Sequence, residues 1–389
     1  MTVAKQIPVA AYLSPSVLDE EIQSIFLTHW QPAAMLSDLN ERHDFVVVVI
    51  GGREVVIQHF GDTLSAFTNV CSHRMSAIQT LPSGNRPLQC PYHRWTFDKQ
   101  GIPSNIPLRE DFTCLDDVPI EQLALERWHL EICGGMIFVC LARPTTTLHE
   151  YLGNIYPWLE TVTTHLGYEL PSFQTTIGAN WKVIMQNTVE FQHVFAVHPQ
   201  TFRPLVELPL SIKDSEAIAP HIRYRINMKT ERSQVRLDRM LERHFHQPAR
   251  LPEPGYEHVL LFPCLTVGHT NGRAFSFFQY APETPGSTRL SVRTWMPRSV
   301  TDDAALTSFC ETVGAEIAAF IQRLSDEDSQ ICGAAQRGLA SAPTAWRMRF
   351  SDGEYLVAKF HSHYLEVMAA AMSQHSGEST QQRLSSDYQ

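Results

Sequence analysis

The sequence predicts an α+β fold, in which a small antiparallel β domain is followed by a larger domain of antiparallel sheet and helices. Between about residues 42 and 148, short β-branched runs are joined by Gly-Gly turns at 51–52 and 134–135, a pattern typical of β-hairpins. Beyond residue 148, long stretches of helical periodicity alternate with further strand-like runs. At 389 residues, the chain is long enough for two or three domains.

Local signals along the chain place the individual elements. We predict a helix from Pro15 to Trp30, because Ser14 can cap it and a first-turn proline is tolerated. The other predicted elements are strands at 45–50, 53–59, 64–69, 128–133, 136–141, 258–267, 273–280 and 289–295, and helices at 148–166, 180–198 and 302–339.

These elements divide the chain into four parts, with a turn-rich linker at 143–147 between the two main ones. An N-terminal helical segment (1–41) is expected to pack on the larger domain. The small β domain takes residues 42–148 and the larger domain residues 149–372. The tail, 373–389, is polar and is predicted to be disordered.

Composition and charge exclude several classes of protein. A hydrophobic content of 43% and a net charge of −10 describe a globular protein and argue against nucleic acid or an anionic membrane as partner. The longest clean apolar run, residues 45–50, is too short to span a bilayer, and no signal peptide is visible. Six of the eight cysteines lie outside any metal-like motif and form no C-x-x-C pair. We expect a soluble cytoplasmic protein with reduced cysteines.

Two short arms each carry one cysteine and one histidine. Cys71 and His73 form the first arm, and Cys90 and His93 form the second. This interleaving suits a Rieske [2Fe–2S] cluster, in which two thiolates bind one iron and two imidazoles bind the other. A turn-forming segment at 81–85 is predicted to make a hairpin that brings the arms together.

A structural zinc site is the alternative for the same four residues, since two cysteines and two histidines also make a tetrahedral zinc ligand set. Zinc fingers usually group a cysteine pair and then a histidine pair, whereas each arm here mixes the two types. The order of the ligands therefore favours the iron–sulfur cluster.

A second metal site is predicted at His193 and His198. A non-haem iron that binds O2 takes two histidines and a carboxylate on one side and leaves the opposite positions open. Residues five apart on a regular helix lie about 140° apart around its axis, so we expect the helix to end or to be distorted between the two histidines. Glu190, three residues before His193, would face the same side if that stretch is helical.

At these residues the chain resembles the Rieske non-haem iron oxygenases. The arms look like the family's cluster motif, and Gln186 to Pro199 is similar to its E-N-x-x-E-x-Y-H-x-x-x-x-H-P motif. Ser325 to Leu339 resembles the family's acidic pair followed by Q-x-G-L, which implies that Asp328 is the third iron ligand, while Asp326 and Glu327 are read as a solvated helix face.

The resemblance also implies roles beyond the ligands. Glu190 would bridge the mononuclear iron site to a Rieske histidine of a neighbouring subunit, on the path of the electrons, and Asn187 would be catalytic. Electron transfer between subunits implies a homo-oligomer, expected to be a trimer. No nucleotide-binding Gly-rich motif is visible, so NAD(P)H electrons would arrive through a separate reductase or ferredoxin.

The family resemblance implies an O2-dependent monooxygenase or dioxygenase, and the nearest likeness is to its choline and carnitine monooxygenase branch. Gln186 stands where that branch has Glu, and Phe191-Gln192 stands where it has Cys-Tyr. We expect an aromatic or apolar ring substrate, with a quaternary ammonium compound as the alternative. A pure electron carrier and a zinc-stabilised binding module are the remaining classes.

Overall fold

The computed structural model describes residues 6–207, 212–218, 220–229, 255–299, 304–343 and 345–386. The chain separates into two compact units, one of Phe26–Thr163 and one of Met1–Ile25 with Thr164–Gln389. Both contain antiparallel sheets, and the second also carries the long helices, so the predicted α+β class is confirmed. In the described residues, no helix combines the length and the apolarity needed to cross a membrane.

The smaller unit is built on an antiparallel sheet whose described strands run in the order β1-β9-β8-β4-β3-β2-β5. The predicted Gly-Gly hairpins are confirmed, with Gly51 and Gly52 at φ 55° and 78° joining two of these strands. The strands are β1 (Gln31–Met35), β2 (Asp44–Ile50), β3 (Arg53–His59), β4 (Leu64–Thr68), β5 (Ser83–Asn85), β8 (Arg127–Cys133) and β9 (Met136–Cys140), while β6 (Thr96–Phe97) and β7 (Pro103–Asn105) pair separately.

Two predictions in this part of the chain were wrong. The segment expected to be a hairpin turn, 81–85, instead contributes β5, which pairs with β2. Gly84 favours this pairing, because a Cβ atom there would crowd the Phe45 ring at 3.2 Å. The N-terminal helix begins at Pro15 with Ser14 as its cap, as predicted, but α1 ends at Glu21 and a π-helical turn follows to Phe26.

The larger unit contains an antiparallel sheet together with helices. Its described strands run β10-β17-β16-β15-β14-β13-β12, with β11 also paired to β17. They are β10 (Leu166–Glu169), β11 (Phe173–Ile177), β12 (Ile212–Ile218), β13 (His221–Ile226), β14 (Tyr256–Leu261), β15 (Leu265–Thr270), β16 (Phe275–Thr284) and β17 (Ser287–Pro297). The predicted single strand at 258–267 is two strands, because Pro263 cannot donate a ladder hydrogen bond and the chain turns there.

In the described residues, the α-helices after α1 are α2 (Leu148–Leu152), α3 (Tyr156–Thr164), α4 (Trp181–Thr188), α5 (Val194–Val197), α6 (Ala304–Ser341) and α7 (Tyr355–Ser386). The helix predicted at 302–339 is confirmed as α6. The tail from residue 373, predicted to be disordered, is helical to Ser386 as the continuation of a helix that begins at Tyr355. Residues 387–389 lie outside the described chain.

A fully buried ion pair joins α1 to α4. Lys182 Nζ lies 2.6 Å from Glu21 Oε1, and both side chains are 0% exposed. Trp181 Nε1 and the Tyr364 hydroxyl donate to the same carboxylate, at 2.7 and 2.5 Å. Burial lowers the pKa of Lys182, while the charge of Glu21 opposes that shift. The pair therefore fixes the start of α4, the helix that leads to the predicted second metal site.

Replacing Lys182 by Met should lower the free energy of unfolding by about 3–5 kcal/mol, because the Glu21 carboxylate would stay buried without its counter-charge. Urea unfolding measures the loss. The control is Glu169→Gln, which breaks an ion pair with Arg293 whose side chains are 37% and 31% exposed, and it should cost less than about 1 kcal/mol. Equally small losses in both variants would contradict the prediction.

Candidate metal centres

The two Cys–His arms of the smaller unit form turns with matching hydrogen bonds. In each arm, the N–H of the fourth residue after the cysteine donates to the cysteine carbonyl, from Met75 at 2.9 Å and from Arg94 at 3.0 Å. Both donors adopt positive φ, 58° and 62°. The predicted position of the arms on loops between strands is confirmed, since one follows β4 and the other lies between β5 and β6.

The four side chains of the arms fit a [2Fe–2S] cluster. The His73 and His93 rings lie 4.6 Å apart between centroids. Among the described residues, His73 Nδ1 is buried with no hydrogen-bond partner, which leaves its lone pair for a metal. Cys71 and Cys90 are both buried. Burial, together with a smaller contribution from the Cys90 thiol, raises the pKa of Cys71 to about 11. A bound iron would reverse that cost by stabilising the thiolate.

Aromatic side chains hold the His73 imidazole in place. The Trp95 ring stacks on it with centroids 5.0 Å apart and planes 6° apart, and Phe112 meets both rings edge-on. Trp95 is part of the core beneath the arms. The imidazole orientation is therefore set by packing, before any metal binds.

The second predicted site lies where a helix is interrupted. Helix α4 ends at Thr188, whose carbonyl accepts a hydrogen bond from the Tyr224 hydroxyl at 2.7 Å. Glu190 Oε2 then accepts the backbone N–H of Gln192 at 2.5 Å, a bond that competes with continuation of the helix. The interruption was predicted between His193 and His198, but it comes before His193; the two histidines flank the single turn α5.

His193, His198 and Asp328 come together as a group that can hold a metal ion, with their ligand atoms within 4.8 Å of one another. Asp328 Oδ1 lies 3.1 Å from His198 Nε2 and 3.7 Å from His193 Nε2. Burial opposes charging of His198, but hydrogen bonds and attraction to Asp328 and Glu327 outweigh it and raise the His198 pKa. Two imidazoles and one carboxylate suit a non-haem iron.

Each of the two histidines carries a carboxylate on its other ring nitrogen. Glu190 Oε1 lies 2.5 Å from His193 Nδ1, and Glu327 Oε2 lies 2.7 Å from His198 Nδ1. Such carboxylates fix the ring and leave Nε2 as the metal-facing atom. Glu190 reaches His193 through a turn and not through the helix assumed from the sequence.

Glu327 was wrongly read as part of a solvated helix face. It hydrogen-bonds His198 and the Thr201 hydroxyl, at 2.7 and 2.6 Å, while Asp326 contacts Gln322 on the exposed side of α6. Sequence reasoning missed this role because only the folded chain brings Thr201 and His198 against α6.

Helices α4 and α6 run antiparallel and are joined at two points. Asn187 Nδ2 donates to Asp328 Oδ1 at 2.9 Å. About two turns away, Gln336 Oε1 accepts the backbone N–H of Asn180 at 3.0 Å. The Asn180 side chain in turn caps α4 by accepting the N–H of Lys182. These bonds set the position of the carboxylate relative to the histidine segment.

A cavity of about 90 Å³ adjoins the histidine–carboxylate group. Aromatic side chains supply much of its wall, namely Phe191, Phe202, Tyr224, Tyr256, Phe278 and Tyr280. No lysine or arginine is among the described residues that line it. Of the three departures from the carnitine-type motif, only Phe191 lines the cavity; Gln186 donates to the Tyr12 hydroxyl and Gln192 to Ser351.

His258 is a cavity residue that the sequence analysis did not identify, since β14 carries no motif around it. Its ring stacks on Tyr224, with centroids 4.9 Å apart and planes 12° apart, and its Nδ1 lies 3.1 Å from the Tyr256 hydroxyl. Burial lowers the pKa of His258 to about 3, although Asp328 opposes the shift, so the imidazole is neutral at pH 7.

Two known protein families match two separate stretches of the chain. Residues 29–119 match the Rieske [2Fe–2S] domain, and residues 156–370 match the ring-hydroxylating alpha subunit (catalytic domain). The first match contains both Cys–His arms. The second match covers more than half of the chain and contains His193, His198 and Asp328.

The chain is similar in sequence to relatives that act on different classes of substrate. The chain is 28% identical over 211 residues to a glycine betaine monooxygenase oxygenase subunit of Pseudomonas aeruginosa, covering 52% of this chain and 46% of the relative. It is 28% identical over 218 residues to the large oxygenase component of a naphthalene 1,2-dioxygenase system of Pseudomonas putida, covering 52% and 47%. The aligned part thus spans about half the length of each relative.

Solved structures share the fold along most of the chain. A quaternary ammonium Rieske monooxygenase superposes with a TM-score of 0.76 at 20% identity, covering 93% of this chain and 95% of that one. Naphthalene 1,2-dioxygenase from Rhodococcus sp. gives a TM-score of 0.71 at 18% identity, with 94% of both chains covered. At these identities the likeness is one of fold.

Glu327→Gln should weaken iron retention about 10- to 100-fold, because a neutral amide orients the His198 ring less firmly and lowers its basicity. Iron content after dialysis against graded chelator measures the effect. Asp326→Asn, one residue away on the exposed side of α6, is the matched control and should retain iron as the wild type does. Equal retention in the two variants would show that Glu327 does not support a metal ligand.

Proposed function

Because the chain belongs to the family of ring-hydroxylating oxygenase alpha subunits, with a Rieske [2Fe–2S] domain ahead of the catalytic domain, we propose that it is the oxygenase component of a multicomponent system. It hydroxylates, or oxidatively demethylates, a small organic substrate with O2. The observation that carries the proposal is the group of His193, His198 and Asp328 beside a cavity with a largely aromatic lining.

The ligand assignments are part of the proposal. Cys71, Cys90, His73 and His93 hold the cluster, and His193, His198 and Asp328 hold the mononuclear iron. When bound, the cluster supplies single electrons and the iron supplies the site at which O2 is activated. The unpartnered His73 Nδ1 and the carboxylate on each Nδ1 of the second pair support these roles.

The protein's own residues orient and shield the reaction. Glu190 and Glu327 hold the two imidazoles, and Asn187 holds the Asp328 carboxylate by a 2.9 Å hydrogen bond. The aromatic wall of the cavity limits water next to the metal group, which strengthens electrostatic interactions there. Asn187 therefore acts by positioning a ligand.

Glu190 is proposed to link the subunits. Its Oε1 bonds His193, and its side chain is 13% exposed, so it lies at the edge of the site. In this proposal, Glu190 bridges His193 and a Rieske histidine of a neighbouring copy, so that electrons pass between the two metal centres along this path. The copies form a homotrimer, and a separate reductase or ferredoxin supplies the electrons from NAD(P)H. No two of the eight cysteines, each of which the structure describes, form a disulfide, which supports a cytoplasmic location.

The substrate is proposed to be an aromatic or apolar ring compound, because the cavity wall is largely aromatic and carries no basic side chain among its described residues. A quaternary ammonium substrate is the second candidate. Aromatic faces also attract such cations, and relatives of both substrate classes match the chain.

The purified protein should contain about three irons and two acid-labile sulfides per chain, with a Rieske-type EPR signal after reduction. Asp328→Ala should lose the mononuclear iron and keep the cluster, giving about two irons and two sulfides. Zinc in place of iron, or iron without sulfide, would contradict the proposed function. Loss of sulfide in Asp328→Ala would show that the two sites are not separate.

Glu190→Gln should keep both metals and lose substrate-coupled O2 uptake, because the amide no longer supplies a carboxylate between the two centres. Iron and sulfide content, together with O2 consumption in the presence of reductase and substrate, test this. Reduction of the cluster by dithionite should be unaffected. Turnover at the wild-type level would contradict the path through Glu190.

A further inference from the structure

The cavity beside the histidine–carboxylate group is lined by side chains with unpaired polar atoms, and the Nε2 atom of His258 is one of these. His258 lines the cavity, and its Nε2 is buried with no hydrogen-bond partner among the described residues. Its other nitrogen, Nδ1, is bonded to the Tyr256 hydroxyl at 3.1 Å. A buried polar atom without a partner is unfavourable unless a ligand completes it.

The Tyr256 hydroxyl determines which proton His258 presents. A phenol hydroxyl can donate or accept, but its own proton needs an acceptor, and in the described part of the chain His258 Nδ1 is the atom within hydrogen-bond reach of it. If Tyr256 donates to Nδ1, the proton of the neutral imidazole resides on Nε2. His258 therefore offers the cavity a hydrogen-bond donor and not an acceptor. The stacked Tyr224 ring keeps the imidazole plane fixed.

The charged residues around the cavity limit which chemical groups the His258 N–H can bind. A carboxylate bound in the cavity would need net positive charge nearby, and the described lining residues include no lysine or arginine. An iron(II) at the metal group would add two positive charges, but the Glu190 and Asp328 carboxylates of the lining offset them. A neutral oxygen acceptor, such as a carbonyl or an ether oxygen, pairs with an N–H donor without that penalty.

We propose that His258 determines specificity by donating from Nε2 to a neutral oxygen acceptor on the substrate, held there by Tyr256. The substrate class is then a neutral ring compound that carries a carbonyl or ether oxygen. This inference rests on the proposed function, because it assigns the substrate of the same site. An unsubstituted hydrocarbon would leave the donor unpaired, and a quaternary ammonium group offers it no acceptor.

The test compares two ligands of nearly equal shape, indane and 1-indanone, which differ by one carbonyl oxygen. Isothermal titration calorimetry on the metal-loaded protein without reductant measures both affinities. The wild type should bind 1-indanone about 10- to 100-fold more tightly than indane. His258→Leu should abolish that preference, and His258→Gln, which keeps an N–H donor, should retain part of it.

A second variant and a third ligand sharpen the test. Tyr256→Phe removes the group that sets the tautomer, so it should reduce the preference while leaving His258 in place. The ratio of two affinities is insensitive to the fraction of folded protein, so a loss of stability in a variant cannot imitate the result. Glycine betaine serves as the probe for the quaternary ammonium alternative.

Several results would overturn the assignment. They are 1-indanone binding no more tightly than indane, a preference that survives in His258→Leu, or glycine betaine binding more tightly than 1-indanone in the wild type. Failure of the proposed function would show separately, in the iron and sulfide content, whereas these binding measurements require no turnover.

Discussion

The buried ion pair between Lys182 and Glu21 is the interaction on which the catalytic unit depends. An ammonium and a carboxylate with no exposure are tolerable only if each is fully paired, and Trp181 and Tyr364 complete the carboxylate. Lys182 is the second residue of α4, so the end of α1, at Glu21, and Tyr364 of α7 are linked to the first turn of the helix that leads to the histidines. The position of α4, and with it the position of the histidine segment that follows, depends on that fixed end.

The metal group follows from the same helix by way of its interruption. A continuous helix would have carried His193 and His198 to different sides, whereas the chain leaves α4 at Thr188 and re-enters a single turn between them. Tyr224 satisfies the freed carbonyl and Glu190 accepts the freed N–H, so the break costs few hydrogen bonds. The Glu190 carboxylate thus accepts an N–H where the helix is interrupted and also orients His193. Glu327, on α6, orients His198 in the same way.

The motifs and the elements near them could be predicted from the sequence, because ligand type and spacing are local. The arms around Cys71 and Cys90, the Gly-Gly hairpins and helix α6 required only short-range signals. The role of Glu327 could not be predicted, since it depends on Thr201 and His198 meeting a helix more than a hundred residues later. His258 was missed for the same reason: a lone histidine in a β-strand gains meaning only from the Tyr256 and Tyr224 side chains around it.

The two hydrogen-bonded crossings between α4 and α6 have a consequence for how the protein handles its iron. Asn187 with Asp328, and Asn180 with Gln336, hold the two helices in register without any help from a metal. The donor atoms are therefore preorganised, and their conformational entropy is lost when the chain folds and not when the ion arrives. We expect such a site to exchange its metal while the surrounding helices stay folded, so that apoprotein recovered from a chelator takes up iron(II) without passing through an unfolded state.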